Sequence, residues 1–120
     1  MAKTAYLYDP VYLEHETDWG HPESASRLGA IHRKICSSDY FKELVQVEPA
    51  AANFRYLERI HSRQYIERVK DEIENGIAYL DSMDTSVCSR SYEVALLAAG
   101  GCLNVCDTIM DGRTNAVSAP

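Results

Sequence analysis

The sequence predicts an α/β domain with a mainly parallel sheet, and two observations support this prediction. Short apolar strands alternate with amphipathic helices along the chain, an order that is typical of parallel sheets covered by helices. The longest predicted helix, residues 89–111, contains the stretch 95–103, which is apolar nearly all round. We therefore expect this helix to be buried between other elements.

Three strands are predicted, over residues 5–8, 45–47 and 115–119. The first is stopped by the dipeptide Asp9-Pro10 and the second by Glu48-Pro49, because proline cannot donate a backbone hydrogen bond to a neighbouring strand. The strands are too short and too few to cover both sides of the long apolar helix. We therefore expect residues 1–120 to be part of a larger domain.

The first predicted helix begins at Pro22, because the N–H that proline lacks is not needed in the first turn, and it ends near Cys36 or Ser37. Its buried stripe consists of Leu28, Ile31 and Ile35, which follow helical spacing.

Further helices are predicted downstream. A short helix is expected over residues 38–44, and Asn53 is expected to cap the next one. After a break near Ser62, a longer helix ends at Gly76, and the apolar helix closes at Gly112.

Composition and charge narrow the class of protein. Among 120 residues, 46% are hydrophobic and 25% are charged, which is ordinary for a globular domain. The net charge of −6 argues against a nucleic-acid partner, which requires clustered cations. We find no signal peptide and no apolar run that approaches a membrane span of about 20 residues. We therefore expect a cytoplasmic protein with no membrane partner.

The cysteines are Cys36, Cys88, Cys102 and Cys106, and they fit reduced, mostly buried thiols better than disulfides. Cys102 and Cys106 stand four residues apart and could share a metal, but core packing is the favoured interpretation. A thiol enzyme based on Cys36 or Cys88 lacks a neighbouring base motif in the sequence.

The densest group of functional side chains lies in residues 20–28, between the first strand and the first helix. It holds the imidazole of His21, the carboxylate of Glu23 and the guanidinium of Arg27. Open α/β sheets usually bind ligands at this end of a strand. A metal site from His15, Asp18 and His21 is a weaker alternative, because their spacing is irregular.

Four ordered stretches of the chain match one family. They are Tyr8-Asp9-Pro10-x-Tyr12 with His15; His21-Pro22-Glu23-x3-Arg27-Leu28; His61-Ser62-x2-Tyr65-Ile66; and Asp81-x2-Asp84-Thr85 followed by Ser89-x-Ser91-Tyr92-Glu93. Together they resemble the histone deacetylase superfamily, and most closely its bacterial branch of acetoin-utilisation proteins and acetylpolyamine amidohydrolases. One departure is Ala25, where family members commonly carry proline.

The resemblance implies an arginase/deacetylase-like three-layer fold, of which residues 1–120 are the N-terminal part of a single deacetylase domain. It also implies a zinc-dependent hydrolase that acts on N-acetylated lysine, polyamine or a related amide. In the family, an Arg-Pro-Pro-Gly-His-His segment and the zinc ligands follow the position of Pro120. We therefore expect this chain to hold no cofactor and to be inactive by itself.

The resemblance also implies roles for individual residues. Asp84 matches a rim aspartate that accepts hydrogen bonds from the substrate backbone, although it could instead cap a turn with Thr85. Arg27 matches an arginine on the product side, although it could instead form a structural ion pair. His21 is expected either to line the substrate site or to hold its loop, and Tyr12 to form part of the tunnel wall or merely to cover apolar surface.

A second class of function is a non-catalytic binding or self-assembly module. In that case the exposed sheet edge and the apolar helix would be covered by self-association.

Overall fold

The computed structural model describes residues 3–112, and residues 116–118 by their backbone. Its strands and helices alternate as predicted. In chain order they are β1 (Thr4–Leu7), α1 (Ala25–Cys36), β2 (Val45–Val47), α2 (Phe54–Leu57), α3 (Arg63–Glu74), α4 (Ser91–Met110) and β3 (Ala116–Ser118), with 3-10 turns at Pro10–Glu14 and Phe41–Glu43.

The sheet has three parallel strands in the order β2-β1-β3, so the predicted parallel sheet is confirmed. Ala5 of the central strand lies opposite Val45 on one side and Val117 on the other. The residues of β1 are the most deeply buried part of the sheet, since Ala5 and Tyr6 are fully buried and Leu7 is nearly so. The predicted ends of the third strand at positions 115 and 119 lie outside the described residues.

Helix α4 lies on the sheet because two adjacent glycines allow a close approach. A Cβ atom at Gly100 would lie 1.6 Å from the carbonyl oxygen of Ala50. A Cβ atom at Gly101 would lie 2.6 Å from the Tyr12 hydroxyl oxygen and 2.8 Å from the Leu7 side chain. All three distances are far inside van der Waals contact, so a side chain at Gly100 would push the helix away from the segment that follows β2, and one at Gly101 would push it away from β1.

The core is small and apolar. Ala5, Leu7 and Val47 from the sheet pack with Val105 of α4 to form one buried cluster, with Tyr12 against its edge. This cluster fixes α4 across the strands.

On the side away from the sheet, α3 packs against the first half of α4, but the second half is uncovered in the described structure, so the expectation of a helix buried between other elements is met only in part. Within this second half, Cys102 and Cys106 are exposed, and Met110 is 84% exposed. Cys36 is exposed as well, while Cys88 is half-buried, and all four thiols are free. The expectation of mostly buried thiols is therefore wrong, because three of the four lie on exposed parts of α1 and α4.

The expectation that no stretch reaches membrane length is also wrong. Helix α4 has 20 residues and a mean hydropathy of 1.4, which is long and apolar enough to cross a membrane by length and composition alone. The core helix of a soluble protein meets the same criterion, and α4 packs on the sheet through Gly100 and Gly101.

The start of α1 differs from the prediction. The helix begins at Ala25 with Ser24 as its N-cap, three residues after Pro22. The backbone N–H of Glu23 donates to Nδ1 of His21 at 3.0 Å, and its carbonyl accepts from the Thr17 hydroxyl. These contacts hold residues 22–24 in the loop, so they cannot join the first helical turn.

The remaining boundaries follow local signals. The helix predicted over residues 38–44 is reduced to the 3-10 turn Phe41–Glu43. The side chains of Asn53 and Ser62 cap α2 and α3 by accepting backbone N–H groups, as predicted for Asn53. Gly76 and Gly112 have φ angles of +83° and +78° after the helices that they close, a conformation that favours glycine.

Candidate functional site

Two loops lie side by side at the N-terminal end of α4. The first loop comprises residues 8–24 and the second loop comprises residues 75–90. The second loop folds back on itself through an isolated antiparallel bridge between Tyr79 and Ser86. Asp81 at its tip has a φ angle of +53°, in the left-handed region that aspartate tolerates better than most residues.

Side chains connect the two loops along their length. The contacts are His15 Nδ1 with Ser91 Oγ (2.7 Å), Asp18 N–H donating to Ser86 Oγ (3.1 Å), His21 Nε2 with the Asp84 carbonyl (2.9 Å), Glu16 N–H donating to Cys88 Sγ (3.3 Å), Cys88 S–H donating to the Glu14 carbonyl (3.3 Å), and Tyr79 O–H donating to Asp18. We call this set of contacts the loop clamp. Because these contacts are spread along both loops, the two loops hold each other in place.

The clamp includes two buried hydroxyls. Ser86 is 6% exposed and Ser91 is 7% exposed, and both oxygens accept backbone N–H groups, from Asp18 and Cys88 respectively. A buried hydroxyl without a partner is costly, so these contacts stabilise the loops in this arrangement.

His21 joins the two loops through both nitrogens of its ring. Nδ1 accepts the N–H of Glu23 at 3.0 Å, so Nδ1 carries no proton. Nε2 therefore carries the proton and donates it to the Asp84 carbonyl at 2.9 Å. Both ring nitrogens are thus used within the protein, and the direct substrate contact expected for His21 stays a prediction.

Asp84 presents its carboxylate outward. The residue is exposed, and its side-chain oxygens accept no hydrogen bond from the residues that the structure describes. The turn is closed instead by Thr85 N–H donating to the Ser82 carbonyl at 3.2 Å, so the capping alternative for Asp84 is not seen. Neighbouring Met83 is 75% exposed, and Trp19 of the first loop is fully exposed.

Trp19 therefore covers no apolar surface within the described structure. The exposed ring of Trp19 in the first loop is apolar surface that a ligand or a further part of the protein could cover.

Tyr12 joins the first loop to the middle of α4. Its hydroxyl donates to the Leu97 carbonyl at 3.0 Å. Burial raises the pKa of Tyr12 to about 12, with smaller contributions from Cys102 and Asp9. Tyr12 is thus a neutral donor at physiological pH and a structural contact of α4.

Arg27 lines a cavity between β1, α1 and α4. The cavity has a volume of about 250 Å³, and Tyr12, His15 and Cys102 also line it. At the same time Nη2 of Arg27 lies 2.8 Å from a carboxylate oxygen of Glu23, with both side chains about half exposed. The guanidinium therefore forms an ion pair within its own segment and borders the cavity as well.

No group of three histidine, cysteine, aspartate or glutamate side chains that could hold a metal is found in residues 3–112. His15, Asp18 and His21 are bound instead by Ser91, Tyr79 and Asp84 respectively. The exposed pair Cys102 and Cys106 has no third ligand among the same residues. The donor set described here therefore does not fit a catalytic zinc ion.

Two thiols have a histidine base nearby that the sequence motifs did not indicate. Nε2 of His32 lies 3.4 Å from Sγ of Cys36, and the spacing of four residues on α1 was the available signal. His15 reaches Cys88 through Ser91, but no local pattern indicates a contact between residues more than 70 positions apart.

Comparison with known proteins identifies the family and the fold. The family model described as histone deacetylase domain matches residues 21–120. A probable deacetylase from Archaeoglobus fulgidus is 26% identical over 110 residues, which cover 90% of this chain and 30% of the relative.

The crystal structure of the HDA15 HD domain superimposes with a TM-score of 0.86 at 24% identity, and the match covers 98% of this chain and 34% of that chain. The α/β fold predicted from the sequence is thus that of a histone deacetylase domain. The chain spans about a third of the length of both similar proteins. Because the family model matches most of the sequence, the chain belongs to the histone deacetylase family.

Proposed function

We propose that residues 1–120 form the N-terminal part of a single zinc-dependent deacetylase domain that hydrolyses an N-acetylated lysine, polyamine or related amide. The observation that carries the proposal is the geometry at Asp84. His21 holds its backbone carbonyl at 2.9 Å, while its exposed carboxylate accepts no hydrogen bond from the described residues.

In this proposal Asp84 orients the substrate. One carboxylate can accept two N–H groups of an extended ligand at once, and charged hydrogen bonds of this kind are stronger than neutral ones. The clamp keeps the carboxylate in place, because His21 fixes the peptide that carries it. Tyr12 and the first loop form the adjoining wall.

Arg27 acts on the product side. A cavity of about 250 Å³ has room for acetate, and a guanidinium attracts a carboxylate in a planar two-point contact. The ion pair with Glu23 leaves the other guanidinium nitrogens available to a product.

The family is generally zinc-dependent, and the described residues supply no set of zinc ligands. We therefore propose that the zinc ligands and catalytic histidines come from the rest of the deacetylase domain, and that this chain alone has no activity. Deacetylase domains are typically soluble. We further propose that the complete enzyme is bacterial and cytoplasmic and has no nucleic-acid or membrane partner.

The role of Asp84 is tested by the substitution Asp84→Asn in the complete enzyme, assayed with an acetyl-lysine peptide. We expect kcat/KM to fall by about 10- to 100-fold, as for loss of a charged hydrogen bond. Asp81→Asn is the matched control, since Asp81 lies in the same loop, is exposed and pairs with Arg68 at 3.0 Å. Equal kinetics for both variants and the wild type would exclude the rim role.

The expectation of inactivity has a separate test. The 120-residue chain is assayed with added zinc and an acetylated substrate. We expect no turnover, and zinc-dependent turnover would refute the proposed division of the domain.

A non-catalytic self-assembling module is the second candidate, and the exposed side chains of Cys102, Cys106 and Met110 in the second half of α4 favour it. The reading frame after Pro120 separates the two candidates. An Arg-Pro-Pro-Gly-His-His segment supports the deacetylase, whereas a stop codon supports the module.

A further inference from the structure

We propose that Cys88 is a reactive thiol that small disulfides modify, and that its modification releases the first loop from the second. This proposal concerns the loop clamp and does not depend on the proposed deacetylase activity.

The sulfur of Cys88 lies at the junction of the two loops. Sγ is 3.3 Å from the carbonyl oxygen of Glu14, to which it donates, and 3.3 Å from the backbone nitrogen of Glu16, from which it accepts. One side chain of the second loop thus binds the first loop through two backbone groups.

A relay of side chains connects this thiol to a base. The Ser91 hydroxyl oxygen is 3.4 Å from Sγ of Cys88 and 2.7 Å from Nδ1 of His15. The same oxygen accepts the backbone N–H of Cys88 at 2.8 Å, which holds the hydroxyl in place. A nucleophile, a proton carrier and a base are therefore aligned, with the base on the other loop.

The surroundings stabilise the thiolate. Burial raises the pKa of the Cys88 thiol, but hydrogen bonds from the Glu16 backbone, the Ser91 hydroxyl and the Arg90 backbone outweigh burial and leave the pKa lowered. The charge of Glu16 opposes this effect, whereas the carboxylate of Glu14 is neutralised by Arg90 at 3.2 Å. The sulfur also lies beside the first turn of α4, where the helix dipole favours an anion.

The other thiols lack this combination. Cys36 contacts His32, but it is the last residue of α1, where the helix dipole disfavours an anion. Cys102 and Cys106 are exposed on α4 and accept no hydrogen bond in the described structure. They serve as internal controls that are more accessible than Cys88.

The reaction is a thiol–disulfide exchange. For the proton transfer, the S–H of Cys88 turns from the Glu14 carbonyl toward Ser91 and the Ser91 O–H turns from Sγ toward His15. The proton of the Cys88 thiol then passes to Ser91 as the Ser91 proton passes to Nδ1 of His15. The Cys88 thiolate attacks one sulfur of the disulfide, a new S–S bond forms, the old S–S bond breaks, and the second thiolate leaves.

The mixed disulfide is incompatible with the clamp. It has no S–H to donate to the Glu14 carbonyl, and the added group must occupy space where two backbone atoms now lie 3.3 Å from the sulfur. The first loop therefore separates from the second loop near Cys88.

Reactivity is tested with dithiodipyridine, followed by mass spectrometry of each cysteine in the full chain across a pH series. We expect Cys88 to react on the order of tenfold faster than Cys102 and Cys106 near neutral pH, and all four thiols to react alike in urea. His15→Gln, which keeps a hydrogen-bonding side chain but removes the base, should move the half-maximal pH of Cys88 upward. The proposal fails if Cys88 reacts no faster than the exposed thiols, or if His15→Gln leaves its pH profile unchanged.

Release of the loop has its own readout. Trp19 is the single tryptophan of the chain and lies in the first loop, so its fluorescence anisotropy reports loop motion. Modification should lower the anisotropy in the wild type but leave it unchanged in Cys88→Ser. Constant anisotropy after complete modification of Cys88 would refute the release.

Discussion

The sheet contact of α4 and the loop clamp are held together by different physics. Gly100, Gly101 and Val105 bring α4 against the strands by shape, with no space for a single added methyl group. The clamp uses hydrogen bonds that side chains, most of them exposed or half-buried, make with backbone groups or with one another. The first region should therefore respond to changes in volume, and the second to changes in hydrogen-bonding chemistry.

This difference matters for function because α4 belongs to both regions. Its first residue, Ser91, is part of the clamp, while its middle lies on the sheet. The contact with the sheet thus fixes the position of α4, and the clamp, which is bound to α4 through Ser91, positions Asp84 relative to the sheet.

The largest effect is expected for Gly100→Ala. A methyl group 1.6 Å from the Ala50 carbonyl oxygen forces the backbone to move. We therefore expect the free energy of unfolding, measured by urea denaturation, to fall by about 3 kcal/mol. Gly29→Ala is the control inside α1, where the nearest atom is the flexible end of Arg33 at 3.2 Å. In that control the free energy of unfolding should rise by about 0.5–1 kcal/mol. An equal fall in the free energy of unfolding of both variants would contradict the role of the close contact at Gly100.

Ser86→Ala comes next and tests the clamp. The variant removes a buried hydroxyl that accepts the N–H of Asp18 at 3.1 Å, and we expect a loss of about 1–2 kcal/mol in urea denaturation. Amide exchange at Asp18 should become faster than in Ser82→Ala, a variant of an exposed serine in the same loop. Unchanged exchange at Asp18 would show that the clamp does not hold the first loop.

Tyr12→Phe should cost about 1 kcal/mol at neutral pH through loss of the hydrogen bond to Leu97. The folded pKa of Tyr12, about 12, lies above the ordinary value of 10.0, so folding favours the neutral phenol. This stability is fully present below pH 10 and is lost as the pH rises toward 12. The difference between wild type and Tyr12→Phe should therefore shrink over that range, and a constant difference would contradict the assigned burial.

The smallest effect on stability is expected for Arg27→Gln. The ion pair with Glu23 is about half exposed on both sides, and such pairs contribute about 0.5 kcal/mol or less. If Arg27 acts on the product side, acetate should inhibit the complete enzyme less in this variant. A large loss of stability with unchanged acetate inhibition would instead support a purely structural ion pair.

The sequence predicted the elements whose signals are local. The caps Asn53 and Gly76 and the strand Val45–Val47 depend on neighbouring residues, and the structure confirms them. The start of α1 was misplaced because Pro22 is a permissive signal, whereas His21 and Thr17 hold Glu23 through contacts in the folded loop.

The sequence was enough to predict individual residues of the site but not the contacts between them. Motif resemblance singled out His21 and Asp84 separately, and only the folded chain shows that one binds the backbone of the other across 63 positions. The roles of Ser86 and Ser91 depend on burial at the loop junction, which no periodicity of the sequence reveals.

The central claim is that the clamp positions Asp84 for substrate, and a double-mutant cycle tests it most directly. His21→Ala, Asp84→Asn and the double variant are compared by kcat/KM in the complete enzyme with an acetyl-lysine peptide. Because His21 acts through the peptide that carries Asp84, its loss should matter only while the carboxylate is present, with a coupling of about 1 kcal/mol or more. Strictly additive effects of the two substitutions would contradict the account.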